Sequence, residues 1–379
     1  MNVLQICSFY TSSKLYKNLF ENLDEKGINN FVYIPSKKKD ININISDNTN
    51  IKYYYSNIFK NGNTLIEKLE NVIQKILFYK REEIILEDIT RKINLDKVNI
   101  THAHSLFIDG YVAYQLKKRK NIEYIVAIRN MDLNIMFKYM VHLRRDAIEI
   151  LLNAKKVVFI SPSYKELVIN KYIPKQHRKS IEEKSDIIPN GIDDFWMKNK
   201  FNDKRKYIDN ESLNLIFVGK INKNKNIPTI INVVKKINEH GLKCKLNIIG
   251  EGLLLEKLKK KYRYEYIYFL GSKNKEDIID YYRQADIFIM CSKHETFGLV
   301  YVEAMSQGLP IIYTRGQGID KYFKDGTVGY SVAYNNIDEI IDRISKITSN
   351  YEVIVNNCLN SFKEFNWNNI SNIYKDIYQ

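Results

Sequence analysis

Cys291-Ser-Lys-His-Glu295-Thr-Phe-Gly298-Leu-Val-Tyr-Val-Glu303-Ala-Met-Ser-Gln-Gly308-Leu-Pro310 is the stretch that decides the fold of this chain. An apolar run, Ile287–Met290, precedes it, and a second, Ile311–Thr314, follows. Gly308 with Pro310 two residues on marks a helix C-terminus. The order is therefore strand, loop, short helix, strand: one unit of a parallel α/β sheet. Ligands of such sheets sit beyond the carboxyl ends of the strands, where a helix N-terminus presents free amides. Glu295-Thr-Phe-Gly298 occupies that place, and Gly298 lets backbone approach a ligand closely. Glu295 and Glu303, with seven residues between them, fall in the loop and in the helix. Carboxylates beside helix amides suit a polyhydroxylated ligand carrying phosphate: the amides take the anion and the carboxylates accept from sugar hydroxyls. The bare Glu-x7-Glu spacing also fits a surface loop with an exposed helix Glu.

Outward from this stretch the same alternation repeats. Leu213–Val218, Lys245–Ile249, Tyr266–Leu270 and Gly329–Val332 complete the strands of the second half. Val3–Cys7, Phe31–Ile34, Ile51–Tyr54, Asn99–His102, Tyr124–Ile128, Val157–Ile160 and Asp186–Ile188 are the short buried strands expected in the first. Helical spacings lie between them, as in Leu65-Leu69-Ile73-Ile76-Leu77. After Val332 the pattern is helical to the end, closing on an amphipathic run with Phe362, Phe365, Trp367, Ile370, Ile373, Tyr374 and Ile377.

The whole pattern from Glu295 through Thr296, Phe297, Gly298, Leu299 and Val300 to Glu303 and Gly308-Leu-Pro310 resembles the nucleotide-sugar site of retaining glycosyltransferases with the GT-B fold, carbohydrate-active family four. Two further motifs carry the resemblance. Pro189-Asn190-Gly191-Ile-Asp193 is similar to the family's Pro-Asn-Gly-(Ile/Val)-Asp at the crossing between domains. Gly219-Lys220-Ile-Asn-Lys-Asn-Lys225-Asn226 resembles its Gly-Arg-Leu-x-x-x-Lys-Gly loop, with Lys220 in place of Arg and Asn226 in place of Gly. Two cations after a glycine at a strand end suit a diphosphate, although Lys forfeits the bidentate fork of Arg. A solvated Lys-rich turn also fits that segment. Gly250-Glu251-Gly252 is a second glycine turn at a strand end. The family's Gly-Gly pair after the first strand is absent: Ser8-Phe-Tyr-Thr-Ser-Ser13 stands there, with Ser12 and Ser13 as candidate donors to substrate.

The resemblance implies an α/β protein of GT-B type, two doubly wound Rossmann-like domains facing a central cleft. The expected division is 1–190 on the acceptor side, 191–360 for the nucleotide sugar, and 361–379 as a helix returning to the first domain. It places Glu295 near the donor sugar and His104 on the opposite wall. Taken alone, His102-Ala-His104 on a strand admits a zinc pair, which lacks a third ligand nearby, or hydrogen-bonded structural histidines. Arg129, Asn130, Asp132 and Asn134 follow another strand end and are candidate substrate contacts, with Asp132 also a fair helix cap.

Composition bounds the rest. The 379 residues are 45% hydrophobic and 27% charged, enough for two ordinary globular domains. Four scattered cysteines argue for a reducing compartment and against structural zinc. The N-terminus runs straight into a strand, and no apolar run reaches the roughly 20 residues of a membrane helix. A cytoplasmic protein, at the inner face of the plasma membrane, is expected. The net charge of +15 is uneven: residues 111–180 hold 15 basic and 5 acidic residues. Met136, Phe137, Tyr139, Met140 and Leu143 lie beside Arg144 and Arg145 in an expected helix, which fits either a membrane-facing surface or a core face with solvated cations.

The expected function is a retaining transferase moving sugar from a nucleotide-diphosphate sugar, a UDP-sugar, to a hydroxyl of a glycan or lipid-linked acceptor in polysaccharide synthesis. Lys220, Lys225 and the amides near Phe297–Val300 would stabilise charge on the diphosphate, Gly219 and Gly250 would leave room for the donor beside them, and Glu303 would hold the ribose. No cofactor is expected, and the absence of an Asp-x-Asp pair predicts independence of metal. Expected partners are the donor, the acceptor and an anionic membrane. A sugar-nucleotide epimerase or a phosphorylase of the same fold is the alternative within enzymes. A basic nucleic-acid-binding protein is the alternative outside them, and no stacking-aromatic or recognition-helix motif supports it.

Overall fold

The computed structural model describes residues 1–12, 14–35, 50–56, 71–203 and 212–379. They form two compact units. Met1–Ile160, Lys165–Pro189 and Trp367–Gln379 make up the first; Ser161–Tyr164 and Asn190–Asn366 make up the second.

The first unit is built on seven strands: β1 (Asn2–Ile6), β2 (Asn29–Pro35), β3 (Ile51–Ser56), β4 (Ile100–Ala103), β5 (Tyr124–Ile128), β6 (Lys156–Phe159) and β7 (Ser185–Ile187). They pair in parallel in the order β3-β2-β1-β4-β5-β6-β7. β1, β4 and β5 are buried almost without alternation, because helices cover both faces of a parallel sheet. Of the expected helix through Leu65–Leu77, Leu65 and Leu69 lie outside the described residues; a helix runs over Asn71–Lys92.

The closing helix, Trp367–Tyr378, belongs to this first unit. Its buried residues Trp367, Ile370, Tyr374 and Tyr378 recur at helical spacing and join Val3, Leu19, Phe20 and Leu23 in one core cluster. Polar groups fix its end. Tyr378 Oη lies 2.8 Å from His102 Nδ1 and accepts from Gln5 Nε2 at 3.2 Å.

The second unit holds β8 (Ser212–Val218), β9 (Lys243–Ile249), β10 (Ile267–Gly271), β11 (Ile287–Met290), β12 (Ile311–Thr314) and β13 (Gly329–Val332). All pair in parallel, in the order β10-β9-β8-β11-β12-β13. Each sheet reverses direction once, between β1 and β4 in the first and between β8 and β11 in the second. Loops leaving these neighbouring strands diverge and open a crevice at their carboxyl ends.

The helix in the opening stretch runs over Leu299–Ser306. Gly308 ends it at φ +71°, its amide donating to Met305 O at 2.9 Å, while Leu309 N donates to Ala304 O at 3.1 Å. This is the left-handed termination that the glycine announced. Among the described residues no helix is long and apolar enough to cross a membrane.

Candidate active site

Four loops of the second unit, after β8, β9, β11 and β12, converge at the β8–β11 reversal. Gly219, after β8, and Gly250, after β9, touch backbone to backbone: a Cβ on Gly250, at φ +139°, would sit 2.0 Å from Gly219 O. Gly252 is held against Ile221 O, which a Cβ would approach to 2.3 Å. Side chains are excluded there by contact, which explains the glycine turn.

The loop after β8 is self-supporting. Asn222 Oδ1 accepts from Asn224 N at 3.0 Å and Lys225 N at 3.1 Å, winding Lys223–Lys225 into a single tight turn. Asn226 then adopts φ +52° at the head of the helix Ile227–Glu239. A left-handed residue is required there, and Asn tolerates that region best after Gly, so the Gly-to-Asn departure preserves the geometry.

Asn224 ties this loop to the one after β11. Its Nδ2 donates to His294 O at 2.7 Å, its Oδ1 accepts from His294 N at 3.0 Å, and its carbonyl accepts from Lys293 N at 2.8 Å. The clamp brings Lys225 onto Glu295, with Nζ 2.5 Å from Oε2 and 3.4 Å from Met290 Sδ. The other oxygen of Glu295 accepts from Thr296 N at 3.2 Å. Gln317, in the loop after β12, accepts from Glu295 N at 3.1 Å, and Gly318 N donates to Glu295 O at 2.7 Å. Lys220 is exposed on the same loop as Lys225.

Phe297 turns away from this surface. It is 2% exposed and packs its ring against Tyr322 and Phe365, leaving only its backbone near the loop. Gly298 follows at φ +80°, where a Cβ would lie 2.6 Å from the Tyr301 ring. Leu299 and Val300 open the helix, partly exposed, and its first amides point back along the loop.

Glu303, one turn on, stands where Asp193 and Lys275 also meet. Burial pushes its carboxyl up to about 7, with the Lys275 ammonium pulling it down and Asp193 raising it further. Asp193 pairs with Lys275 and also caps the helix Asp194–Lys198, accepting from Phe195 N at 3.0 Å.

In the first unit the structure corrects the expected roles. His104 is 0% exposed. Its Nε2 lies 2.9 Å from Gln5 Oε1, an acceptor, so that nitrogen carries the proton, and Tyr16, Phe20 and His102 enclose the ring. Burial holds the imidazole neutral, well below its ordinary pKa. His104 is thus a core residue of this unit and presents no atom to a substrate. Asp132 is corrected likewise. It is 1% exposed and accepts from the amides of Leu106 (3.1 Å), Phe107 (3.1 Å) and Arg129 (2.8 Å), stapling the loop after β4 to the loop after β5. Arg129 is 8% exposed beside the Tyr16 ring, whereas Asn130 is exposed and pairs with Asn134. Ser12 closes a short turn, Tyr10–Ser12, and Ser13 lies outside the described residues.

Asn224, Gln317 and Lys275 join the site without having been singled out in the sequence. Asn224 sat inside the Lys225 loop and carried a signal as an Asx-type residue in a turn. Gln317 and Lys275 carried none.

Residues 198–360 match the family model described as glycosyl transferases group 1. The chain is 25% identical over 330 residues to the capsular polysaccharide biosynthesis glycosyltransferase CapM of Staphylococcus aureus, covering 83% of this chain and 82% of that one. It is 26% identical over 298 residues to the alpha-monoglucosyldiacylglycerol synthase of Acholeplasma laidlawii, covering 74% and 72%. Its fold matches the sucrose-phosphate synthase of Thermosynechococcus elongatus with a TM-score of 0.73 at 17% identity, over 100% and 98% of the two chains. Two parallel Rossmann-like units with these loops define a glycosyltransferase of the GT-B fold class. The match to glycosyl transferases group 1 lies within the second unit.

Proposed function

We propose that this enzyme takes a nucleotide-diphosphate sugar, a UDP-sugar, and transfers the glycosyl group with retention to a hydroxyl of a glycan or lipid-linked acceptor in cell-surface polysaccharide assembly. The observation that carries the donor reading is the Lys225–Glu295 pair at the β8–β11 reversal, a cation and a carboxylate 2.5 Å apart beside a helix N-terminus. A diphosphate would take Lys225 and Lys220, with the first amides of the helix Leu299–Ser306, so its charge is met without a metal. Glu295, released from Lys225, would accept from donor-sugar hydroxyls, and Glu303 from the ribose. Capsule and glycolipid enzymes among the relatives support the acceptor class.

The chemistry follows from charge. The bond between the anomeric carbon and the diphosphate oxygen breaks, its electron pair leaving on the diphosphate. The acceptor oxygen bonds to the same carbon on the same face, and its proton passes to the departing phosphate. The protein contributes cations placed before the charge develops, which avoids solvent reorganisation. The test is a panel of nucleotide sugars scored by protection against thermal unfolding and by release of nucleotide. Protection by UDP and one UDP-sugar, with turnover on an added glycan, is expected. Protection by no nucleotide would overturn the reading.

A further inference from the structure

We propose that the segment after β5 in the first unit, together with the end of the helix Pro162–Lys171, is a docking surface for an anionic lipid bilayer. Of the helical face expected from sequence, Met136, Phe137 and Leu143 are 6%, 0% and 0% exposed and belong to the core, whereas Tyr139 is open to solvent. The structure adds Ile135 and Val141 to it. Ile135 is 49% exposed, Tyr139 63% and Val141 57%, three large apolar side chains open to solvent within seven positions. Ile135 and Tyr139 are four apart on one helical face.

Cations surround them. Lys138 Nζ lies 5.1 Å from the Tyr139 ring centroid, and Lys138 and Arg145 are exposed. Phe137 stacks on Tyr172 at 4.6 Å, and over that ring stand Arg144 at 5.3 Å and Lys171 at 5.5 Å. Arg144 is held there by its Nε, which donates to Phe137 O at 2.8 Å. The sequence has no carboxylate between Asp132 and Asp146, nor between Glu166 and Glu182. Two chain segments free of negative charge are thus joined through one aromatic stack.

A free polyanion would use the charge and leave the apolar tips in water. A bilayer uses both: the tips enter the headgroup boundary and the cations meet anionic headgroups. The segment leaves the carboxyl end of β5, the sheet edge that also carries the loops after β1 and β4. This deepens the proposed function by saying where a lipid-carried acceptor would be met, and rests on that reading only for the acceptor.

The experiment is co-sedimentation of the full chain with vesicles of phosphatidylcholine alone and of equal parts phosphatidylcholine and phosphatidylglycerol. Three proteins are compared: unaltered, the triple variant Ile135→Ser, Tyr139→Ser, Val141→Ser, and the double variant Lys138→Gln, Arg145→Gln. Unaltered protein should sediment with the anionic vesicles, be released by salt, and leave the neutral ones in solution. Each variant should partition about tenfold more weakly or worse. Unchanged unfolding temperature and unchanged protection by UDP would show that the variants are folded and that the donor site is intact. Equal partitioning of the triple variant would reduce the effect to adsorption of a polycation and overturn the proposal, as would absence of binding by the unaltered protein. Vesicle binding needs no donor and UDP protection needs no vesicle, so failure of one reading is separable from failure of the other.

Discussion

Lys225 Nζ and Glu295 Oε2 lie 2.5 Å apart, with the two side chains 17% and 14% exposed. Seventy positions separate them in the chain, and each is aimed by a loop that Asn224 clamps to the other. The pair neutralises in advance the cation that a diphosphate would use. An incoming anion therefore displaces a carboxylate, and the two residues should respond to mutation with opposite signs.

Lys225→Gln removes a charged donor and should weaken UDP about ten- to a hundredfold. Glu295→Gln frees Lys225, so UDP alone should bind as well or better while turnover of the UDP-sugar collapses. Titration of unfolding temperature against UDP, beside initial rates, checks both. Equal loss of UDP affinity in the two variants would count against the exchange.

Glu303→Gln should weaken nucleotide binding by about 1.5–3 kcal/mol without unfolding the protein. The carboxyl of Glu303 is raised from 4.5 to about 7. As a ribose acceptor it works best ionised, so UDP affinity should rise with pH through neutrality. Stability runs the other way. In that window the folded protein keeps a proton the unfolded chain has released, so unfolding free energy falls as pH rises, by at most about 1.4 kcal/mol per pH unit. Loss of that slope in Glu303→Gln, seen in denaturant melts, is the expected outcome.

Gly250→Ala places a methyl 2.0 Å from Gly219 O at a backbone angle that favours glycine. The loops must separate, at a cost of about 2–4 kcal/mol, and the Lys220–Lys225 loop moves with them. A lowered melting temperature together with weakened UDP protection is expected. Wild-type values for both would show that the contact yields freely.

His104→Phe tests the corrected role of that residue. It leaves Gln5 Oε1 without its donor and should cost about 1–3 kcal/mol of stability. Well below the melting temperature, kcat should stay within about threefold, whereas loss of a general acid–base group would cost 100-fold or more. Burial also depresses His102, to about 3, and His104. The unfolded chain then binds more protons below the ordinary value of 6.5, so stability should fall as pH drops through that range. Substitution of His104 should flatten that fall.

If Lys220 and Lys225 supply the positive charge, as proposed, turnover should survive EDTA. Loss of activity on chelation, restored by manganese or magnesium, would reassign the diphosphate contacts.

The thirteen strands of the described residues were legible as short apolar runs, most clearly the central ones buried on both faces; β7 and β10, expected as buried strands, are only partly covered. Gly308 was legible because a left-handed helix end has few candidate residues and the requirement is local, whereas Asn226 stood in the sequence only as a departure from Gly. The loop after β11 was also marked locally, since Glu295, Gly298 and Glu303 stand at fixed offsets on one strand–helix unit.

Burial and pairing across loops were decided only by the tertiary structure. His104 and Asp132 sit just past strand ends, as substrate-binding residues do, and sequence position could not say that helices and neighbouring loops close over them. Gln317 and Lys275 reach the site from 22 and 28 residues away from Glu295 and Glu303, through contacts with no periodic trace. Apolar spacing from Met136 to Leu143 predicted a face but not its direction. Phe137 turned inward because Tyr172 offered a ring to stack on, and Tyr139 and Val141 were left to solvent. Local rules fix where the backbone runs; which side chains remain open depends on what else the fold brings against them.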